Sequence, residues 1–304
     1  MGTPEFAVPA LEKLAFEGFE IAAVYTQPDK EAGRGRNPQP PPVKAAALEL
    51  GLHVEQPATL KSDEAVQKLA ACNPDTIVVA AYGKLLPAPV LKVPPRGVIN
   101  IHPSLLPCFR GASPVASAIL AGLDFTGVSV MQLDEGMDTG PVLAQSQVSI
   151  SSLDTTGALT GKLARVGADL LLDVLPRWEK GEITPRPQDE TEATFTRKFE
   201  KEDGNIDWAL SAREIELHVR GLAPWPGSYT SWHGKQLKII KAYVLPSETV
   251  LEIGRIVDLP SGFGVGTGNG VLGVSMVQLE GKREMTAAEF KNGQRDLAGS
   301  ILPN

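Results

Sequence analysis

The chain has 304 residues, with 29 Lys plus Arg against 36 Asp plus Glu, a formal net charge of −7. A chain this acidic is not a non-specific nucleic-acid coat, and 42% hydrophobic with 21% charged residues describes a folded globular protein rather than a disordered one. Two cysteines, Cys72 and Cys108, are too few for a disulfide framework and suit a reducing, cytoplasmic compartment. At ~100–200 residues per domain the length suggests two domains. The longest apolar runs, such as Thr76–Ala81, fall far short of the ~20 residues that span a bilayer, so no membrane association is expected. No basic start followed by an apolar stretch marks a signal peptide.

In chain order, Gly2-Thr3-Pro4 reads as a βα turn and Val8–Phe16 as the helix after it. Phe19–Tyr25 is apolar and β-branched, hence a strand. Val43–Leu50, rich in Ala and Leu, is predicted helical. So is Asp63–Cys72, with apolar Ala65, Val66, Leu69 and Ala70 at helical spacing. Asp75–Ala81 is a continuous apolar run, as in a strand buried on both faces. Gly97–His102 is a further strand, Pro114–Ala121 a helix, Thr126–Leu133 a strand, and Val142–Ile150 a strand with polar alternation. Thr155–Lys180 is one long amphipathic helix, opened by a Thr cap and closed by Gly181. Strand–helix alternation of this kind predicts an α/β domain with a mostly parallel sheet over residues 1–183.

The character changes at Thr184. Residues 184–201 are polar, contain Pro185 and Pro187, and lack apolar periodicity, which reads as a linker. In residues 202–304 one helix, Ala212–Gly221, precedes five short strands: Ser228–Trp232, Gln236–Leu245, Gly254–Leu259, Phe263–Thr267 and Val271–Gln278. Their spacing suits a small β-barrel or sandwich. His233, Lys235, Lys238 and Lys241 cluster in one predicted hairpin, either a solvated face or a phosphate-binding one.

The densest polar signal is Asn100-Ile101-His102-Pro103-Ser104-Leu105-Leu106-Pro107. Asn100 and His102 are two apart on a strand and share a face. They fall at its C-terminal end, where open sheets bind ligands. A carboxamide beside an imidazole suits acyl chemistry, one holding an oxyanion and the other moving protons; the alternative is that both merely cap the strand. Asp134-Glu135-Gly136-Met137-Asp138-Thr139-Gly140 is an acidic, Gly-rich loop whose carboxylate could orient His102 and raise its pKa. It lacks the ligand spacing of an EF-hand. Tyr82-Gly83-Lys84-Leu85-Leu86-Pro87 is either the wall of an apolar pocket or a plain βα turn. The four histidines, at 53, 102, 218 and 233, show no metal-ligand spacing, and no metal is expected.

These residues carry a resemblance. Asn100–Pro107, with Arg110-Gly111-Ala112 after it, resembles the formyl-donor signature of the folate-dependent formyltransferases, and Asp134–Gly140 resembles their second active-site loop. Gly2-Thr3-Pro4-Glu5-Phe6-Ala7, Thr26-Gln27-Pro28-Asp29 and Gly33-Arg34-Gly35-Arg36 resemble the methionyl-tRNA branch of that family. So do Ile206-Asp207-Trp208, Pro224-Trp225-Pro226-Gly227 and Gly281-Lys282-Arg283-Glu284-Met285. The resemblance implies a Rossmann-like catalytic domain, a linker and an OB-like barrel that binds tRNA. It implies formyl transfer from 10-formyltetrahydrofolate to the α-amine of methionine on initiator tRNA, by a monomer. It assigns catalysis to Asn100, His102 and Asp138, and folate contacts to Ser104, Leu105, Leu106 and Pro107. Arg34 and Arg36, in the inserted basic loop, are expected to contact tRNA phosphates.

Two rivals remain at this stage: formylation of a sugar nucleotide or another small amine, and a catalytically dead RNA-binding module. The basic loop and barrel argue against the first, and the intact Asn100, His102 and Asp138 against the second. The family's first strand, ahead of Gly2-Thr3-Pro4, has no counterpart, so the true start is expected upstream. A chain extended upstream by about six apolar residues, one strand's length, should then be more stable and more active. Equal stability and activity in the 304-residue form would contradict this.

Overall fold

The computed structural model describes residues 1–32, 37–246, 251–294 and 296–303. The chain divides into two units. The first is Met1–Pro114, Phe125–Ser149 and Leu159–Thr196; the second is Val115–Asp124, Ile150–Ala158 and Arg197–Asn304.

Through the first two hundred residues the elements are α1 (Val8–Phe16), β1 (Val24–Tyr25), β2 (Lys30–Ala32), β3 (Asn37–Gln39), α2 (Pro42–Glu49), β4 (Val54–Glu55) and α3 (Asp63–Ala71). There follow β5 (Ile77–Val79), α4 (Ala88–Leu91), β6 (Val98–His102), β7 (Arg110–Gly111), α5 (Pro114–Leu120), β8 (Phe125–Gln132), β9 (Val142–Ser149), α6 (Thr156–Glu179) and β10 (Phe195–Thr196). α3 starts where Ser62 accepts a hydrogen bond from the Ala65 N–H, an N-cap. α6 ends at Gly181, whose φ of 71° suits glycine.

β5, β6, β8 and β9 form one four-stranded sheet in that order. β5 runs parallel to β6, but β6–β8 and β8–β9 are antiparallel. The sheet is therefore mixed, and the expectation of a mostly parallel one is corrected. A parallel neighbour needs a crossover of about a dozen residues or more, usually helical. β8 instead returns as β9 through the helix-free loop 133–141. The polar alternation of β9 is that of a strand with one solvated face, its residues from Ala144 alternating half-buried and exposed. Ahead of β5, the Gly2 N–H donates to the Tyr25 carbonyl (3.0 Å) and the Ala80 N–H to the Met1 carbonyl (2.9 Å), so Met1 and Gly2 lie between β1 and β5. A cavity of about 460 Å³ opens beside them. Neither Asn100, His102 nor Asp138 lines it, which separates it from the candidate chemistry.

α6 buries Leu163, Ala164, Ala168 and Leu171 and meets β6 and β8 at Gly167, beside Ile101 and Val128. Glycine stands at 167 because the helix presses on the sheet there: a Cβ would lie 2.7 Å from Cγ2 of Ile101, the residue between Asn100 and His102.

In the second unit, α7 (Ala212–Gly221) is opened by a reciprocal cap between Ser211 and Glu214. β11 (Ser228–Trp232), β12 (Lys235–Val244), β13 (Ile256–Leu259), β14 (Gly262–Gly266) and β15 (Val271–Leu279) pair antiparallel in the order β11-β12-β15-β14-β13. β16 (Met285–Thr286) joins β15, and α8 (Ala287–Asn292) follows. The core contains Trp208, Ile215, Trp232, Leu237, Ile239, Phe263, Leu272 and Phe290. Among the described residues β11 and β13 end the ladder, an antiparallel sheet without closure. No helix among the described residues is long and apolar enough to cross a membrane.

Gly167→Ala tests the packing beneath β6. Helix propensity alone would stabilise the variant by about 1 kcal/mol, whereas the forced contact with Ile101 should cost about 1–3 kcal/mol. A lower melting temperature is expected; a higher one would show that α6 does not press on β6.

Candidate active site

β6 is buried along its length. Its register sets Asn100 between Val79 and Met131, and His102 opposite Ser129. The i, i+2 spacing puts both side chains on one face. Pro103 follows and, having no N–H, cannot extend the ladder. Among the described residues the Asn100 carboxamide has no hydrogen-bond partner in the chain, so its N–H groups are available to a substrate oxygen.

The strap after β6 is fastened from the sheet beneath it. Ser129 Oγ donates to the Ser104 carbonyl (2.7 Å) and accepts from the Leu106 N–H (3.0 Å). Gln145 Nε2 donates to the Leu106 carbonyl (2.8 Å) and to Ser129 Oγ (2.9 Å). Ser104 Oγ donates to the Cys108 carbonyl (2.6 Å). Ser104 and Leu106 are buried while Leu105 and Pro107 are half-buried, which leaves the stretch 104–107 partly open beside His102.

The loop after β8 brings the carboxylate. Asp134 Oδ1 accepts from the Gly136 N–H (3.0 Å) and Thr139 Oγ1 (2.7 Å), so this acid is engaged by its own loop, and Glu135 is exposed. Asp138 has φ 56°, in the left-handed region, and its Oδ2 accepts from the Gly111 N–H (2.8 Å). That oxygen lies 3.6 Å from His102 Nδ1. Gly111 itself has φ 107°, and a Cβ there would sit 2.5 Å from the Thr196 carbonyl oxygen, so glycine is what lets β7 lie against β10.

His102 Nε2 is 3.1 Å from the Phe109 carbonyl. Both ring nitrogens thus face oxygens, yet burial pushes the imidazole below its ordinary pKa, with Asp138 and the Phe109 carbonyl opposing the shift. Asp138 does pull the pKa upward, as expected of a nearby carboxylate, but desolvation outweighs it at this distance and the net shift is downward. The ring is neutral near pH 7. The acceptor-only Phe109 carbonyl assigns its proton to Nε2, which makes Nδ1 the basic atom, on the Asp138 side.

The structure therefore brings His102, Asp138 and the Ser104–Pro107 strap together, with Asn100 on the same strand face. Residues 82–87 lie in the connection from β5 to α4, with Tyr82 buried and Leu85 80% exposed. Arg34 and Arg36 lie outside the described residues. Lys235, Lys238 and Lys241 sit on the β11–β12 hairpin, in the second unit. Among the described residues, no three His, Cys, Asp or Glu side chains converge as metal ligands.

Sequence reasoning missed the groups that hold the site. Phe109 is a main-chain contributor and carries no side-chain signal. Gln188 and Glu190 lie in the stretch without periodicity. Arg110 is fully buried, with two nitrogens on the Glu190 carboxylate (2.7 and 2.8 Å) and two on Gln188 Oε1 (2.9 and 3.1 Å). Glu190 raises the Arg110 pKa and is itself lowered by it, so the pair stays charged.

Residues 1–175 match the family model described as formyl transferase, and residues 198–295 match that of the formyl transferase C-terminal domain. The methionyl-tRNA formyltransferase of Chloroflexus aggregans is 49% identical over 296 residues, spanning 96% of this chain and 96% of that protein. The methionyl-tRNA formyltransferase of Roseiflexus sp. RS-1 is 47% identical over 304 residues, spanning 99% and 94%. An N-formyltransferase from Helicobacter canadensis, solved with folinic acid and dTDP-3-aminofucose, superposes with a TM-score of 0.65 at 15% identity, over 93% of this chain and 97% of that one. HypX from Aquifex aeolicus, solved with tetrahydrofolic acid, superposes at 0.61 and 20% identity, over 83% of this chain and 45% of that one. Those two likenesses concern the fold. With family models over most of its length and near-full-length relatives at almost half identity, this chain belongs to the formyl transferase family.

Proposed function

We propose that this chain formylates the α-amino group of methionine esterified to initiator tRNA, with 10-formyltetrahydrofolate as the formyl donor. The observation that carries this reading is the arrangement of Asn100, His102 and Asp138 at the end of β6, in a chain nearly collinear with relatives named for that reaction. The bacterial sources of those relatives support action in the cytoplasm.

A free α-amine has a pKa near 8, so a useful fraction is neutral at pH 7 and no side-chain nucleophile is needed. The amine attacks the formyl carbon, and the carbonyl oxygen takes up negative charge. Asn100 donates to that oxygen, a role worth on the order of 3–4 kcal/mol in comparable sites. His102, neutral at rest, accepts the amine proton on Nδ1 and returns it to the departing folate nitrogen. While protonated, the ring has Asp138 on one side and the Phe109 carbonyl on the other, so the cation is stabilised only when it forms. Ser104, Leu105, Leu106 and Pro107 form the folate-facing strap. Its fastening to Ser129 and Gln145 supports a preformed surface.

The first unit is read as Rossmann-like and the antiparallel C-terminal sheet as OB-like. The exposed Lys235 and Lys241 and the half-buried Lys238 put positive charge on the β11–β12 hairpin for tRNA phosphates, and Arg34 and Arg36 add charge from the N-terminal half.

Formylation assays with initiator and elongator methionyl-tRNA and with an amino-sugar nucleotide separate the readings. Activity on initiator tRNA alone is expected; activity on the sugar nucleotide alone would overturn the assignment. His102→Ala should lower turnover about 10²–10⁴-fold with folate binding nearly intact, and equal loss of both would mean that His102 only supports structure. Arg34→Ala with Arg36→Ala should weaken tRNA binding at low salt and much less at high salt. A defect that ignores salt would rule out phosphate contacts.

A further inference from the structure

The mechanism above gives no role to the segment just before Thr196, yet that segment is bound to both loops of the site. Arg186 and Val142 exchange backbone hydrogen bonds (2.8 and 2.9 Å). Further on, Thr194 N–H donates to the Pro107 carbonyl (3.3 Å), Arg110 N–H to the Thr194 carbonyl (2.8 Å), and Phe109 N–H to Thr194 Oγ1 (2.8 Å). β10 then pairs with β7. All of these residues belong to the first unit.

Gln188 sits in the middle of this segment and makes four side-chain hydrogen bonds. Its Oε1 accepts two from the buried Arg110 guanidinium. Its Nε2 donates to the Asp138 carbonyl (2.8 Å) and the Gly140 carbonyl (2.7 Å), one on each side of Thr139. Arg110 has only donors, which fixes the amide's orientation: oxygen toward arginine, nitrogen toward the loop. Asp138 holds a left-handed φ that a non-glycine residue keeps only when its surroundings impose it. Its side chain is held by Gly111, and its main chain by Gln188.

Resting on the proposed reaction, we infer that Gln188 is a positioning residue for catalysis: suspended from Arg110, it fixes the Asp138 loop so that the Asp138 carboxylate stays against His102. An amide is what the place requires, two acceptor lone pairs on one side and two N–H donors on the other. A glutamate would keep the Arg110 contacts and turn an oxygen toward two carbonyls. A methionine would keep the length and lose both sides.

The test is steady-state formylation by the full chain as wild type, Gln188→Glu, Gln188→Met, Asp138→Asn and the double variant Asp138→Asn with Gln188→Met. Hydrogen exchange across residues 134–140 is measured in the same set. Both Gln188 variants should lower kcat by about 10- to 100-fold, the scale of a small misplacement of a reacting group, with KM for folate and tRNA little changed. Adding Gln188→Met to Asp138→Asn should cost little more, because the amide acts through that carboxylate. Amides in 134–140 should exchange faster in Gln188→Glu even though Arg110 keeps its acceptors. Wild-type kcat in Gln188→Glu, a Gln188→Met loss of full size on top of Asp138→Asn, or unchanged exchange in the loop would each overturn the inference. An inactive wild type would instead overturn the proposed reaction, and loop exchange would still decide whether Gln188 clamps the loop.

Discussion

A neutral imidazole buried between two oxygens is the constraint on which the site depends. In water, a ring with a carboxylate at one nitrogen and a carbonyl at the other would hold its proton more firmly. Here the ring is almost wholly removed from solvent, and the cost of charging it there exceeds the help from Asp138, which stands at 3.6 Å, beyond hydrogen-bond length. The balance leaves His102 uncharged at rest with acceptors already facing it. Charge that forms transiently on the ring then meets oriented partners without reorganisation, which is the condition for electrostatic catalysis.

Holding such a balance demands stiffness, and the fold supplies it from below and from the sides. Below β6, α6 comes close enough at Gly167 to admit no side chain. Beside β6, Ser129 and Gln145 secure the strap by side-chain bonds to its backbone. On the other flank the Asp138 loop is tied to Gly111 and to Gln188, and Gln188 in turn to Arg110 and Glu190. Each of the two loops is thus fixed by polar groups from elements remote in sequence. The buried members of these networks are hydrogen-bonded, as burial of polar atoms requires.

Much of this was legible in the sequence because hydrophobic period and caps are local signals. α1 spans Val8–Phe16 and α7 spans Ala212–Gly221, the bounds that spacing alone predicts. The predicted strands with apolar runs also form, though Phe19–Tyr25 pairs only at Val24–Tyr25. Strand direction was less legible, since it depends on what joins two strands and not on the strands themselves, as in the helix-free return from β8 to the antiparallel β9. Motif spacing shows the carboxylate that raises the His102 pKa but not the depth of burial that lowers it by more. Gln188 was invisible for a related reason: a side chain whose work is four hydrogen bonds leaves no periodicity, and it stood in a stretch whose polar composition reads as a linker.

The most direct test is an NMR titration of the His102 imidazole in the wild-type chain and in Asp138→Asn, assigned by the loss of its resonance in His102→Ala. The account predicts a wild-type midpoint below the ordinary histidine value of about 6.5, moving lower still when the carboxylate is neutralised. A midpoint at or above that value, or one unmoved by Asp138→Asn, would contradict it.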